Sequence, residues 1–351
     1  MPRLLLLGDP HVGFRQYGLD ERTVDFASAF ERACAEALRL SPDAVCVMGD
    51  LFETPKPSLE SVKLARDLFD SLKSAGVRVL GVGGNHDRAA GGGRGWLWVC
   101  GAEELTPDAV ATVRSADGGE VTLCGLPHGT ALPAELPECD VVALHLAVEG
   151  LCGMAKPEAT RQYLAGHGFK LAACGHIHTA FDSAHDGLRL LCPGSLEVTD
   201  ADEPVPKKMA LVTFDQGFPR KVEWVDLKTR RFARVDIPDE ASLRLLGSSD
   251  LSGALVLATL PAGVPDGARR ARELLDGAGA LARITIRSAG AWAGSTSWNR
   301  GGAEADLRSV VRATMEGAAD DERELVLALL DSPDRTMDLA KEFVDRRVGA
   351  A

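Results

Sequence analysis

Five short polar pieces punctuate the first half of this chain, and each follows or lies near an apolar run that reads as a buried strand. They are Asp9-Pro10-His11, Gly49-Asp50, Gly84-Asn85-His86-Asp87, His145 and Gly175-His176-Ile177-His178. The runs are RLLLLGD, AVCVMGD, VRVLGVGGNHD, CDVVALH and FKLAACGH. Between them lie helical stretches. Asp25 to Leu40 is rich in Ala, Glu and Arg, and Ser58 to Ala75 places Val62, Ala65, Leu68, Phe69 and Leu72 at helical spacing. A further helix is expected near Pro157 to Gly166. The early strand-helix alternation predicts α/β layers. The denser strands that follow (GEVTLCG, LRLLCPGS, KKMALVTF) predict a second sheet packed on the first. Ligands of open α/β sheets collect at the carboxyl ends of strands, which is where these pieces fall.

From about Arg230 the texture changes. RRFARVDIP, Ser248 to Ala258 and Leu281 to Ser288 read as strands, and Asp266 to Leu275 and Glu304 to Met315 as helices. The pattern predicts domains at 1–229 and 230–330, the second a smaller α+β unit, with a short tail at 331–351. Ala291 to Gly302 is Gly- and Trp-rich without a period and reads as a loop. The tail carries an amphipathic helix around Asp334 to Val348, too short to be stable alone, which must dock on this protein or a partner.

The 351 residues suffice for a sizeable core. No apolar run reaches bilayer length, and MPRLLLLGDP lacks the cleavage site of a signal peptide, so the expected location is the cytoplasm and no membrane partner is expected. None of the eight Cys forms a CxxC pair, and several sit inside apolar runs as small core residues. A net charge of -12 argues against nucleic-acid binding by the whole surface, but leaves room for a local basic groove. Arg15, Arg88, Arg94 and Arg300 are its candidates.

The polar pieces have the chemistry of a metal site. On a strand, residues i and i+2 share a face, so Asp9 and His11 can reach one ion, and His176 and His178 repeat the device. Asp50 is the natural bridging carboxylate, with Gly49 letting the backbone turn close. Asn85 offers a neutral amide oxygen, and His145 completes a second ion. Imidazole and oxygen without thiolate suit Mn, Fe or Zn better than Mg, and manganese is the expected cofactor, as two divalent ions.

At these residues the chain resembles the calcineurin-type metallophosphoesterases, and within them the Mre11/SbcD nucleases. The narrower resemblance rests on GDLFE at 49–53, PGSLE at 193–197, KKMALVTF at 207–214 and RRF at 230–232. It implies a four-layer α-β-β-α sandwich with a smaller α+β capping domain, two Mn ions, a homodimer, and a partner ATPase of the SbcC/Rad50 type. It implies Asp9, His11, Asp50 and His178 as ligands of one ion, and Asp50, Asn85, His145 and His176 as ligands of the other. His86 then resembles the catalytic histidine. Archaeal and eukaryotic Mre11 proteins usually carry a histidine where this chain has Glu53, and bacterial SbcD proteins an acid, so the chain leans to SbcD.

The activity implied is Mn-dependent hydrolysis of DNA phosphodiesters, exonuclease and endonuclease, in DNA repair. In such a mechanism His86 steadies the phosphate or protonates the leaving oxygen, and Glu53 orients His86 if it reaches it. Two other functions use the same residues: a phosphodiesterase or phosphatase for a small nucleotide-like substrate, and a non-catalytic scaffold subunit. For a homodimer, the candidate surface is the Ser58 to Ala75 helix with Gly95-Trp96-Leu97-Trp98, whose aromatic residues otherwise cover the sheet.

Overall fold

The computed structural model describes residues 1–87, 95–151, 157–185, 187–246, 249–261 and 266–287. Arg88, Arg94, Cys152, Arg300, the loop at 291–302 and the helices expected at 304–315 and 334–348 lie outside them. By internal contacts the chain divides into two units, 1–260 with 264–285 and 261–263 with 286–351, and the account below concerns the first.

In chain order the strands and helices are β1 (Arg3–Leu7), α1 (Asp20–Leu40), β2 (Ala44–Val47), α2 (Leu59–Ser74), β3 (Arg78–Gly81), α3 (Trp96–Val99), β4 (Glu103–Glu104), β5 (Ala111–Arg114), β6 (Glu120–Leu126) and β7 (Val141–Leu144). They continue with α4 (Arg161–Gly166), β8 (Leu171–Cys174), β9 (Phe181–His185), β10 (Leu188–Cys192), β11 (Lys207–Asp215), β12 (Phe218–Leu227), β13 (Phe232–Asp236), α5 (Glu240–Leu245), β14 (Leu255–Pro261), α6 (Gly267–Gly277) and β15 (Leu281–Arg287). One sheet has the order β12-β11-β1-β2-β3-β4, a second β5-β6-β7-β8-β10-β9, and a third β13-β14-β15. Strands β1 to β4 run parallel, as do β6, β7, β8 and β10. The remaining strands of the two large sheets pair antiparallel at their flanks.

The sequence explains the layers. Leu4 to Leu7 is apolar at every position because β1 is covered on both faces. Leu4 and Leu6 pack between the two large sheets, with Cys46, Val141, Ala143, Leu171 and Ala173. Leu5 and Leu7 face the other way, into a core with Phe30 and Ala33 of α1 and Phe69 and Leu72 of α2. The outer face of the second sheet (Val142, Leu144, Ala172, Cys174) packs with Leu164 of α4. The order is therefore helix, sheet, sheet, helix, the expected sandwich. The third sheet has its own core, in which Val256, Ala258 and Leu260 meet Leu243, Ala271 and Leu275.

Three local expectations shift. The first helix begins at Asp20, not Asp25, and carries a fully buried Arg22. That guanidinium bonds Gln16 Oε1 at 2.8 Å, Asp25 Oδ2 at 2.7 Å and the Val198 carbonyl at 2.8 Å, with Glu197 Oε1 at 3.3 Å. It also lies 5.0 Å from the Phe232 ring. Asp25 in turn holds Arg230, so α1 is tied to the start of the third sheet. The strand expected from Ser248 begins only at Leu255, because Leu251 to Ala254 form a turn with Gly253 at φ +69°. Gly95-Trp96-Leu97-Trp98 is capped into a single helical turn. Leu97 is buried and Trp96 packs against the same core, while Trp98 is half exposed. Among the described residues every Cys is a free thiol, and no helix is long and apolar enough to cross a membrane.

Candidate metal centre

Asp9 follows β1, Asp50 follows β2, Asn85 follows β3, His145 follows β7 and His176 follows β8. All five strands run parallel within their sheets, so the site lies at their carboxyl ends and draws on both sheets. Asp9, His11, Asp50 and His145 are buried at 4% exposure or less.

The loops that present these groups are held in tight conformations. Asp9, His11, Asp50 and His176 have φ of +20°, +46°, +47° and +70°. Left-handed backbone at residues with side chains is strained and gathers where function requires it. The loop after β1 is pinned to the loop after β2, His11 N–H donating to the Asp50 carbonyl and Val12 N–H to the Leu51 carbonyl, both at 2.9 Å. Close approach demands glycine here. A Cβ on Gly49 would sit 2.1 Å from His145 Nδ1, and one on Gly84 would sit 2.1 Å from Asp50 Oδ1.

Within this frame, two groups of three side chains place ligand-type atoms within 4.8 Å of one another: His11, Asp50 and His86, and Asp50, His145 and His176. Asp50 is common to both. Asn85 Oδ1 lies 3.1 Å from His145 Nε2, and Asp50 Oδ2 lies 3.3 Å from the same nitrogen. On the other side, His11 Nε2 and His178 Nε2 are 3.2 Å apart. Asp9 Oδ1 accepts from the His176 backbone N–H at 3.1 Å. All seven expected ligand residues are thus brought to one place. His86, expected as a catalytic group, stands with them, its ring centroid 5.3 Å from that of His11 and its N–H donating to Asp50 Oδ1 at 2.9 Å.

The donor atoms fit a pair of cations. His145 Nδ1 faces the Met48 carbonyl at 2.7 Å, so it carries the proton and leaves Nε2 with a lone pair. His178 Nδ1 faces Thr199 Oγ1 and Glu203 Oε1, with the same consequence. In the neutral ring, His145 Nε2 then meets Asp50 Oδ2 and Asn85 Oδ1 as a third acceptor, an arrangement that positive charge between them would stabilise. Asp9 Oδ2 is buried with no hydrogen-bond partner. A buried, unpaired carboxylate oxygen is costly unless a cation meets it.

The electrostatics of these side chains agree. Burial opposes the charge on Asp50, but His145, His11 and the His86 N–H outweigh it and hold the carboxyl well below its usual range. Burial likewise opposes charge on His145, yet Asp50, Asp9 and the Met48 carbonyl pull its pKa up to about 9. An ion bound at Nε2 would displace that proton. Asp87 is fully enclosed. Burial first, and the Asp50 charge second, raise its pKa to about 6. Both its oxygens are taken by backbone N–H groups. Its Oδ1 accepts from Leu51 N–H at 2.9 Å and its Oδ2 from Gly84 N–H at 3.0 Å, which stitches the second loop to the third.

Glu53 corrects an expectation. Its carboxylate does not reach His86. Oε2 lies 2.9 Å from His11 Nδ1, and it is the Glu53 backbone carbonyl that meets His86 Nδ1. His128, just past the end of β6, has its ring centroid 5.9 Å from that of His176 and 6.4 Å from that of His145. His167 caps the end of α4 and stacks on Phe169. Arg15 is an exposed surface residue paired with Asp20 at 2.6 Å. Thr199, Glu203 and Lys207 around His178 were not singled out in the sequence.

Comparison with known proteins agrees with this geometry. A family model described as calcineurin-like phosphoesterase matches residues 2–180. The DNA double-strand break repair protein Mre11 of Haloferax volcanii is 31% identical over 278 residues, covering 74% of this chain and 61% of that protein. The Mre11 protein of Archaeoglobus fulgidus is 28% identical over 295 residues, covering 71% and 66%. That of Aeropyrum pernix is 46% identical over 87 residues, covering 25% and 21%. The chain therefore spans between a fifth and two thirds of the length of these relatives.

Proposed function

This chain belongs to the calcineurin-like phosphoesterase family, and from that premise we propose that it hydrolyses DNA phosphodiester bonds at a centre of two divalent ions, preferably manganese. The observation that carries the reading is the shared carboxylate. Asp50 stands in both three-residue groups, with imidazoles of His11, His86, His145 and His176 gathered around its carboxylate. On this reading Asp9, His11, Asp50 and His178 hold one ion, and Asp50, Asn85, His145 and His176 hold the other. When bound, such ions lower the pKa of water and offset charge on phosphoryl oxygens.

The chain's own groups supply the rest. His86 is oriented by its Nδ1 contact with the Glu53 carbonyl, which places a proton on Nδ1, so Nε2 donates to a phosphate oxygen or to the departing ester oxygen only when the ring carries its second proton. Glu53 lies against His11 instead, its Oε2 2.9 Å from Nδ1 of that ring. The neutral amide of Asn85 adds an oxygen without adding negative charge against an anionic substrate.

DNA as substrate draws on the names of the Mre11 relatives, and the partner ATPase of the SbcC/Rad50 type and the homodimer belong to the same proposal. So do the domain limits at 229 and 330, the cytoplasmic setting, and the leaning to SbcD, which rests on Glu53. The test is digestion of end-labelled single- and double-stranded DNA with Mn, beside Asp50→Asn. Wild type should cut, chelator should stop it, and Asp50→Asn should lose most turnover. Intact DNA beside efficient turnover of a nucleotide diester would replace the substrate. Two bound ions with no hydrolysis of either would leave a scaffold.

A further inference from the structure

We infer that Glu203, acting with Thr199, is a positioning residue that fixes the proton of His178 on Nδ1 and so turns its Nε2 lone pair toward the metal centre. The inference rests on the two-ion reading above. The geometry is specific. His178 Nδ1 lies 3.2 Å from Glu203 Oε1 and also contacts Thr199 Oγ1. The Thr199 hydroxyl donates to Glu203 Oε1, so its oxygen is left to accept from the imidazole. An ionised carboxylate only accepts. Both groups facing Nδ1 therefore demand a donor there, and Nε2, 3.2 Å from His11 Nε2, is left unprotonated.

Glu203 is itself held on every side. Thr199 N–H donates to its Oε2 at 2.9 Å, and Lys207 Nζ donates to the same oxygen at 2.8 Å. Lys207 also donates to the His178 carbonyl at 2.6 Å, so one ammonium grips both the histidine backbone and the carboxylate behind its ring. Lys207 is buried, and the Glu203 side chain is only 11% exposed. A carboxylate behind a ligand histidine sets ring orientation and raises ligand basicity, and losing one typically costs about 10- to 100-fold in metal affinity. Glu203 and Thr199 touch no substrate in this arrangement. Their effect passes through His178.

The experiment uses the full chain with 15N-labelled histidine, free of metal and at alkaline pH, where two-bond proton-nitrogen spectra report which nitrogen of each neutral ring carries hydrogen. The His178 signal is assigned by its loss in His178→Gln. Wild type should have the proton on Nδ1. Glu203→Gln, whose amide can present either a donor or an acceptor, should give a mixture of tautomers, as should Thr199→Ala to a smaller degree. In a Mn titration, Glu203→Gln should weaken one of the two ions by about 10- to 100-fold and leave the other within about threefold. A purely structural role would not move the tautomer. An unchanged tautomer in both variants, or an equal weakening of both ions together with a lowered Tm, overturns the inference. A wild-type chain that takes up no second ion overturns the two-ion reading instead, while the tautomer result still judges Glu203.

Discussion

Gly49→Ala tests the metal centre without replacing any proposed ligand. Gly49 has φ +99°, a conformation side chains rarely adopt, and a Cβ there would lie 2.1 Å from Nδ1, 2.7 Å from Cγ and 2.8 Å from Cε1 of His145. Carbon contacts settle near 3.5 Å, so the imidazole must retreat by about 1.4 Å. A shift of that size breaks the 2.7 Å contact between His145 Nδ1 and the Met48 carbonyl, and moves Nε2 off Asn85 and Asp50. The backbone strain alone costs about 1–2 kcal/mol, and a buried polar group left unpaired costs about 1–3 kcal/mol more. Gly76 supplies the control. It has φ +82° just after α2, but nothing lies within 4 Å of its added Cβ, so Gly76→Ala carries strain without collision. Urea denaturation of the metal-free chain should therefore place Gly49→Ala about 1–3 kcal/mol below Gly76→Ala. Mn titration should find one ion weakened at least about tenfold in Gly49→Ala and neither altered in Gly76→Ala. Equal stability of the two variants with both ions intact would mean that His145 does not lie against Gly49, and the second half of the site would fall with it.

The buried ion pair between α1 and the segment after β10 is equally open to test. Arg22→Met leaves Glu197 buried without its guanidinium, and should cost about 3–5 kcal/mol by urea denaturation. Adding Glu197→Gln should recover most of that loss, and a double variant no better than the single one would show that the pair is not coupled. Burial opposes charge on Asp140, but Lys170 and Thr122 outweigh it and hold the carboxyl below its usual range. Its stabilisation is then complete above about pH 4, the ordinary carboxylate value, and is lost as pH falls through the depressed one. Asp140→Asn should accordingly flatten the acid limb of stability against pH, and an unchanged limb would remove Asp140 from the acid response.

What was legible in the sequence follows from where each residue sits. Residues within four positions of a strand end keep much of its direction, so Asp9, Asp50, Asn85, His145 and His176 could be placed together from the apolar runs before them. Glu53 could not be, because it stands six residues beyond β2, where sequence spacing no longer says which way a side chain points. Its carboxylate went to His11 and its carbonyl to His86. Thr199 and Glu203 were hidden for a different reason. They belong to TDADEPVP, which has the composition of a solvated acidic turn, and only the ammonium of Lys207, arriving from the start of β11, makes the turn part of the site. Arg22 likewise reads as a polar residue on a helix surface. Its burial depends on Glu197 and Val198, far along the chain.

These cases share a cause that also explains how the site is built. His11 and His178 stand 167 positions apart in sequence and 3.2 Å apart at their Nε2 atoms. No local loop spans that distance. The first comes from the end of β1 and the second from beyond β8, and what brings them together is the apolar layer between the two sheets, where Leu4 and Leu6 pack with Leu171 and Ala173. Because the side chains of a strand alternate in facing, a one-residue slip in either sheet would turn that layer outward and move the ligands with it. The left-handed conformations at Asp9, His11, Asp50 and His176 can persist because these strand ends are fixed from both sides. The metal centre and the inter-sheet core are therefore one structural commitment: the packing that excludes water from the sandwich is what sets the distance between the imidazoles.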